Sequence, residues 1–111
     1  NLLKNAKEAL VENNVSKKII QVQTTSDKEN VILSVSDNAG GIKEMIIDKI
    51  FEPYFSTKDE KNGTGLGLYM SKTIAQKHLL GSLVAYNVGA GACFKLTIPI
   101  NVKSEENRDA L

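Results

Sequence analysis

The chain has 111 residues, 41% hydrophobic and 24% charged, with 14 basic against 13 acidic residues. That length suits one domain around one core, and the composition is that of a globular chain rather than a disordered one. A net charge of +1 argues against bulk attraction to nucleic acid or membrane, and no apolar run approaches a membrane span or a signal peptide.

The chain opens at Asn1, without a methionine and already in helical pattern. It is therefore expected to be a piece of something longer. Leu2, Leu3, Ala6, Ala9 and Leu10 recur at helical spacing, which predicts an amphipathic helix over residues 1 to 13, closed by Asn13-Asn14. Residues 18 to 25 alternate Ile20, Val22 and Thr24 against Ile19, Gln21 and Gln23. Residues 31 to 36 alternate Val31, Leu33 and Val35 against Ile32, Ser34 and Ser36. Both runs predict strands, joined as a hairpin through the turn cluster Ser26 to Asn30. Asp37-Asn38-Ala39-Gly40-Gly41 then breaks the pattern, and a short helix is expected over Lys43 to Asp48.

From Phe51 to Gly65 periodicity is lost, and the segment reads as a mobile loop. It leads into Gly63-Thr64-Gly65-Leu66-Gly67-Leu68, where three glycines alternate with larger residues. A helix follows to Leu80, with Gly81 as its stop. Ser82 to Val88 and Ala92 to Ile100 predict a second hairpin turning at Gly89-Ala90-Gly91. The one cysteine, Cys93, falls in a strand-like run and reads as a buried structural thiol, in keeping with a reducing cytoplasm. Lys103 to Leu111 reads as a solvated tail. Helix, hairpin, loop, helix, hairpin suits one sheet covered on one face by helices.

Four groups of residues have chemistry to offer. Asn1 and Asn5, one turn apart, present carboxamides on one helix face; an amide oxygen suits Mg²⁺, though caps or surface groups are the commoner reading of such a pair. Asp37, at a strand end beside glycines, is a carboxylate able to accept from an exocyclic amino group, or equally a turn residue. Lys58 beside Ser56 and Thr57 could meet phosphate oxygens or stay solvated. Glycines before a helix start admit close approach of an anion. The glycines do not directly follow a strand, as a Rossmann unit requires, and no lysine stands where a P-loop needs it. His78, beside Lys77 late in a helix, reads as a surface residue.

Together these segments resemble the ATP-binding catalytic domain of sensor histidine kinases of two-component systems. That family belongs to the GHKL (Bergerat-fold) superfamily, with DNA gyrase, mismatch-repair ATPases and a heat-shock chaperone. NLLKNAKEAL is similar to the N box, DNAGGI to the first glycine box, IFEPYFSTK to the F box, GTGLGLYMSK to the second glycine box and GAGACFKLTIP to the closing strand. The resemblance runs from Asn1 to Pro99 and implies an α+β fold, a two-layer α/β sandwich with a mixed sheet, with residues 1–102 as the catalytic domain and 103–111 as a tail.

It further implies that Asn5 holds Mg²⁺ against the phosphates of ATP and that Asp37 accepts from the adenine amino group. Gly41 and Ile42 would line the base pocket, Phe51 would anchor the lid, and Lys58 would reach a phosphate. Gly63, Thr64, Gly65, Leu66, Gly67 and Leu68 would cradle phosphates. The sequence departs from the family pattern at Ala39, where a glycine is usual, and at Ala92, where threonine is frequent. The family's domain also begins with a further strand, so truncation at the N-terminus is expected, leaving a sheet edge open to association.

In hydrolytic relatives the position of Asn1 is a water-activating glutamate, and an amide is no general base. This favours phosphoryl transfer to a protein acceptor over hydrolysis, with Asn1 and Lys58 as the positions marked for chemistry. The implied acceptor is a histidine on an upstream dimerisation domain of a homodimeric kinase, cytoplasmic and either soluble or anchored in the inner membrane, that signals to a response regulator. No nucleic acid and no direct membrane contact are implied. A GHKL-type ATPase, an anti-sigma-type serine kinase and a non-catalytic nucleotide-binding module are the alternatives.

Overall fold

The computed structural model describes residues 1–56 and 65–100. Its elements in order are α1 (Leu2–Glu12), β1 (Ile20–Ser26), β2 (Asn30–Asp37), α2 (Glu44–Ile47), α3 (Gly67–Thr73) continuing into a π-helical turn (Ile74–His78), β3 (Ser82–Val88) and β4 (Gly91–Pro99). The sequence-predicted tail after residue 102 lies outside the described residues.

Helical periodicity determines what α1 buries: Ala6 and Leu10, four apart, are its buried residues, and α1 lies against β2. The first hairpin turns on Asp27. Its Oδ1 accepts the N–H groups of Glu29 and Asn30, both at 2.7 Å. These bonds favour the charged carboxylate and lower the Asp27 pKa.

The sheet order is β1-β2-β4-β3, and every pairing is antiparallel. This corrects the expectation of a mixed sheet. The chain returns after α3 to the end of the sheet where β2 began, since Ser82 pairs with Thr97 and Asn30 with Pro99. β2 and β3 therefore run in the same direction, but β4 is inserted between them. No parallel pair forms among the described residues.

Directly paired residues share a face of the sheet. Val35, Phe94 and Ala85 make one row and Leu33, Leu96 and Leu83 the next. The core is centred on Ile50, Ala75, Leu83, Ala92 and Phe94, with Leu2, Ile42, Phe51, Phe55 and Leu68 packed against it. The opposite face carries Gln21, Ser36, Cys93 and Tyr86 in one row and Gln23, Ser34, Lys95 and Val84 in another. Cys93 is buried there, as expected. Its hydrogen bond with Tyr86, the cross-strand partner, pushes the phenol pKa up.

The helix after Gly67 does not end as expected. Leu79 N–H reaches back five residues to the Ile74 carbonyl, which widens the last turn into a π-helix. Leu80, not Gly81, takes the left-handed conformation, at φ 56°. Gly81 N–H then closes on the Ala75 carbonyl at 2.7 Å, six positions back and one more than the bond of a Schellman end, in keeping with the widened turn before it. Glycine is required at 81 because a Cβ there would lie 1.8 Å from the Thr97 carbonyl oxygen.

Candidate functional site

A cavity of about 770 Å³ opens where α1, the end of β2, α2 and the start of α3 meet. That size is typical of a site for a nucleotide-sized ligand. Eight of the sequence-predicted residues line it: Asn1, Asn5, Asp37, Gly41, Ile42, Gly65, Gly67 and Leu68. They come from three segments far apart in sequence. Lys58, Gly63 and Thr64 lie outside the described residues. Leu66 precedes α3 without lining the cavity.

Phe51 is not among the lining residues either. Its ring stands edge-on to Phe94, with centroids 6.2 Å apart and an interplanar angle of 82°. The Lys72 ammonium sits 4.7 Å from the Phe51 centroid. Phe51 thus packs against the core. The loop read as mobile is held at both of its described ends. Phe55 N–H bonds the Glu52 carbonyl, and Tyr54 N–H bonds the Gly65 carbonyl at 2.8 Å.

Asp37 closes β2 and points its chemistry at the cavity wall. Its Oδ1 accepts the N–H of Ala39 at 3.0 Å and of Ala92 at 3.3 Å. Oδ2 has no hydrogen bond among the described residues, so one carboxylate oxygen stays open to a donor. Ala39 and Ala92, the two departures from the family pattern, both serve as backbone donors here and are buried. Ala39 does not take positive φ, which is why its methyl is accommodated.

The segment from Asn38 to Ile42 has no regular structure, and three carboxamides hold it. Asn13 Nδ2 donates to the Ala39 carbonyl at 2.8 Å. Asn38 accepts from Ile19 N–H at 3.0 Å and donates to the Lys17 carbonyl at 2.8 Å. Asn87 accepts from Ile42 N–H and donates to the Ile42 carbonyl, both at 2.7 Å. Gly40 N–H also reaches the Ala90 carbonyl at 2.7 Å. None of the three asparagines is marked by its sequence position as an organiser of this loop. Their partners lie across the fold, and no local signal marks them.

Asn1 is committed to structure as well as to the cavity. Its Nδ2 donates to the Gly67 carbonyl at 3.2 Å and to Ser71 Oγ at 3.1 Å, tying the start of α1 to the first turn of α3. Asn5 sits one turn on, its N–H bonded to the Asn1 carbonyl. Gly65 and Gly67 prove to differ. A Cβ on Gly65 would fall 2.4 Å from the Tyr54 carbonyl carbon, so the protein's own backbone requires that glycine. A Cβ on Gly67 would meet only the Asn1 side chain, at 3.7 Å or more. Among the described residues nothing in the protein demands glycine at 67.

His78 closes the π-helical turn, is exposed and does not line the cavity. Ile46, Ile50, Phe55 and Phe94, none of them among the predicted site residues, also line it and supply an apolar floor.

With this fold and site, the chain belongs to the family of histidine kinase-, DNA gyrase B- and HSP90-like ATPases, whose pattern matches residues 1–102. It is similar to the two-component sensor PprA of Pseudomonas aeruginosa, at 40% identity over 95% of this chain and 12% of that protein. Sporulation kinase E of Bacillus subtilis is 32% identical over 98% of this chain and 14% of its own length. The sensor histidine kinase ZraS of Escherichia coli is 37% identical over 96% of this chain and 22% of its own. The chain thus spans less than a quarter of each of these relatives. Among solved structures, a nucleotide-free catalytic domain of histidine kinase ThkA matches with a TM-score of 0.67 and 28% identity, over 88% of this chain and 67% of that one. The α+β architecture is that of the histidine kinase catalytic domain.

Proposed function

We propose that this domain binds ATP with Mg²⁺ and presents the γ-phosphoryl group to a histidine carried outside residues 1–111. The observation that carries the reading is the convergence in one cavity of Asn5 from α1, Asp37, Gly41 and Ile42 from the end of β2, and Gly67 and Leu68 from α3. Asp37 Oδ2 would receive the adenine amino group, with the ring against the Gly41–Ile42 backbone. Gly67 and Leu68 open α3, so their N–H groups have no acceptor within the helix and are available to phosphate oxygens. Lys58 would add a cation at the phosphates.

Asn5 suits Mg²⁺ by its chemistry, a neutral hard oxygen donor in the cavity. Among the described residues no cluster of three His, Cys, Asp or Glu side chains forms. A magnesium ion here would take its other ligands from phosphate oxygens and water, as this cation commonly does. When bound it would neutralise charge on the phosphates. Asn1 donates both of its recorded side-chain hydrogen bonds and, as an amide, cannot take a proton from water. This favours transfer to a protein acceptor over hydrolysis. That acceptor would be a histidine on an upstream dimerisation domain of a homodimeric kinase, which would pass the phosphoryl group to a response regulator. No described helix is long and apolar enough to cross a membrane.

The test is ATP titration with and without Mg²⁺ on the parent chain, Asn5→Ala and Asp37→Ala. Binding by the parent that weakens without Mg²⁺ and in both variants is expected; equal affinity in every case would sink the assignment. The chain by itself should bind ATP yet take up no phosphate. Label incorporated into it and lost in His78→Ala would overturn the external acceptor.

A further inference from the structure

Asn87 stands at the end of β3 and does not line the cavity. Its carboxamide nevertheless pairs with both polar groups of the Ile42 backbone, each at 2.7 Å. A carboxamide holds a donor and an acceptor side by side, as a peptide does, so Asn87 acts as a one-residue strand partner for Ile42. The same side chain shapes position 41: a Cβ on Gly41 would lie 2.8 Å from Asn87 Oδ1, and Gly41 has φ 87°. Ala92, the cross-strand partner of Asn87, gives its N–H to Asp37 Oδ1. Ala90, in the turn between β3 and β4, accepts from Gly40. Thus one hairpin holds the carboxylate and, through Asn87, the stretch of backbone beside it.

We infer that Asn87 is a positioning residue for the base end of the nucleotide, fixing Gly41 and Ile42 at the distance from Asp37 that an adenine ring fills. This rests on the ATP reading above. It acts through Ile42 and touches neither phosphate nor the transferred group. Removing it should therefore loosen recognition of the base and leave recognition of the triphosphate intact. A residue that merely stabilised the hairpin would weaken both together.

The experiment compares ATP with inorganic tripolyphosphate, each with Mg²⁺, by calorimetric titration of the parent chain, Asn87→Ala and Asn87→Asp. Asn87→Ala should bind ATP about tenfold more weakly, the scale of a lost pair of positioning hydrogen bonds, and tripolyphosphate within about twofold of the parent. Asn87→Asp keeps the acceptor for Ile42 N–H but sets an anion against the Ile42 carbonyl. It should show the same selective loss, and it serves if the alanine variant fails to fold. Unchanged ATP affinity in the folded variants, or equal losses for both ligands, would overturn the inference while the parent's ATP binding still stood. A parent that binds no ATP would instead remove the nucleotide reading, and this inference with it.

Discussion

Gly65 and Gly67 stand two residues apart in one motif, yet the structure requires opposite phenotypes from them. In Gly65→Ala the new Cβ lands 2.4 Å from the Tyr54 carbonyl carbon and 2.6 Å from its Cα. These are backbone atoms, so no rotamer change relieves the overlap. The residue also sits at φ 76°, where a side chain costs about 1 kcal/mol. Overpacking adds about 1–3 kcal/mol, and the Tyr54 N–H bond to the Gly65 carbonyl is strained with it. A total of about 2–4 kcal/mol in a domain of this size lowers Tm by roughly 10 °C or more. In Gly67→Ala the methyl meets Asn1 at 3.7 Å or more, an ordinary contact. Alanine is also the better helix former by up to about 1 kcal/mol. Its Tm should match or exceed the parent's, while its ATP affinity should fall about tenfold or more if, as proposed, a phosphate fills the space the methyl would take. Thermal melts paired with ATP titration check both. Equal destabilisation of the two variants, or parent-like ATP affinity in Gly67→Ala, would refute the division of labour.

Asp37→Asn should fold like the parent, because an amide oxygen still accepts from Ala39 and Ala92. Its amide nitrogen would face the adenine amino group donor to donor, so ATP binding should fall while tripolyphosphate binding persists; calorimetry of both ligands reads this. Acid should loosen the first hairpin. The folded-state pKa of Asp27 is lowered by its bonds to Glu29 and Asn30, so its contribution is complete above the unfolded value and is lost as pH falls through the folded one. Asp27→Asn removes that titration. Melting curves taken from neutral pH into the acid range should converge for the two proteins, and parallel curves would exclude the effect.

Strands, hairpin turns and the first helix were legible in the sequence because their signals are local. Alternation along Val31, Leu33 and Val35 sets the faces of β2, and spacing of Ala6 and Leu10 sets the buried stripe of α1. The order of motifs likewise pointed to Asn5, Asp37 and Gly67, which the fold brings to one cavity. Tertiary structure decided what depends on partners distant in sequence. That β4 separates β2 from β3 follows from where the chain returns, not from any strand's own residues. That Gly81 avoids the Thr97 carbonyl while Leu80 turns left-handed reflects contact across the sheet. Asn87 and Ile42 lie 45 positions apart, and nothing near either residue announces the other. Periodicity records which face a residue buries; only the folded chain records which atoms meet there.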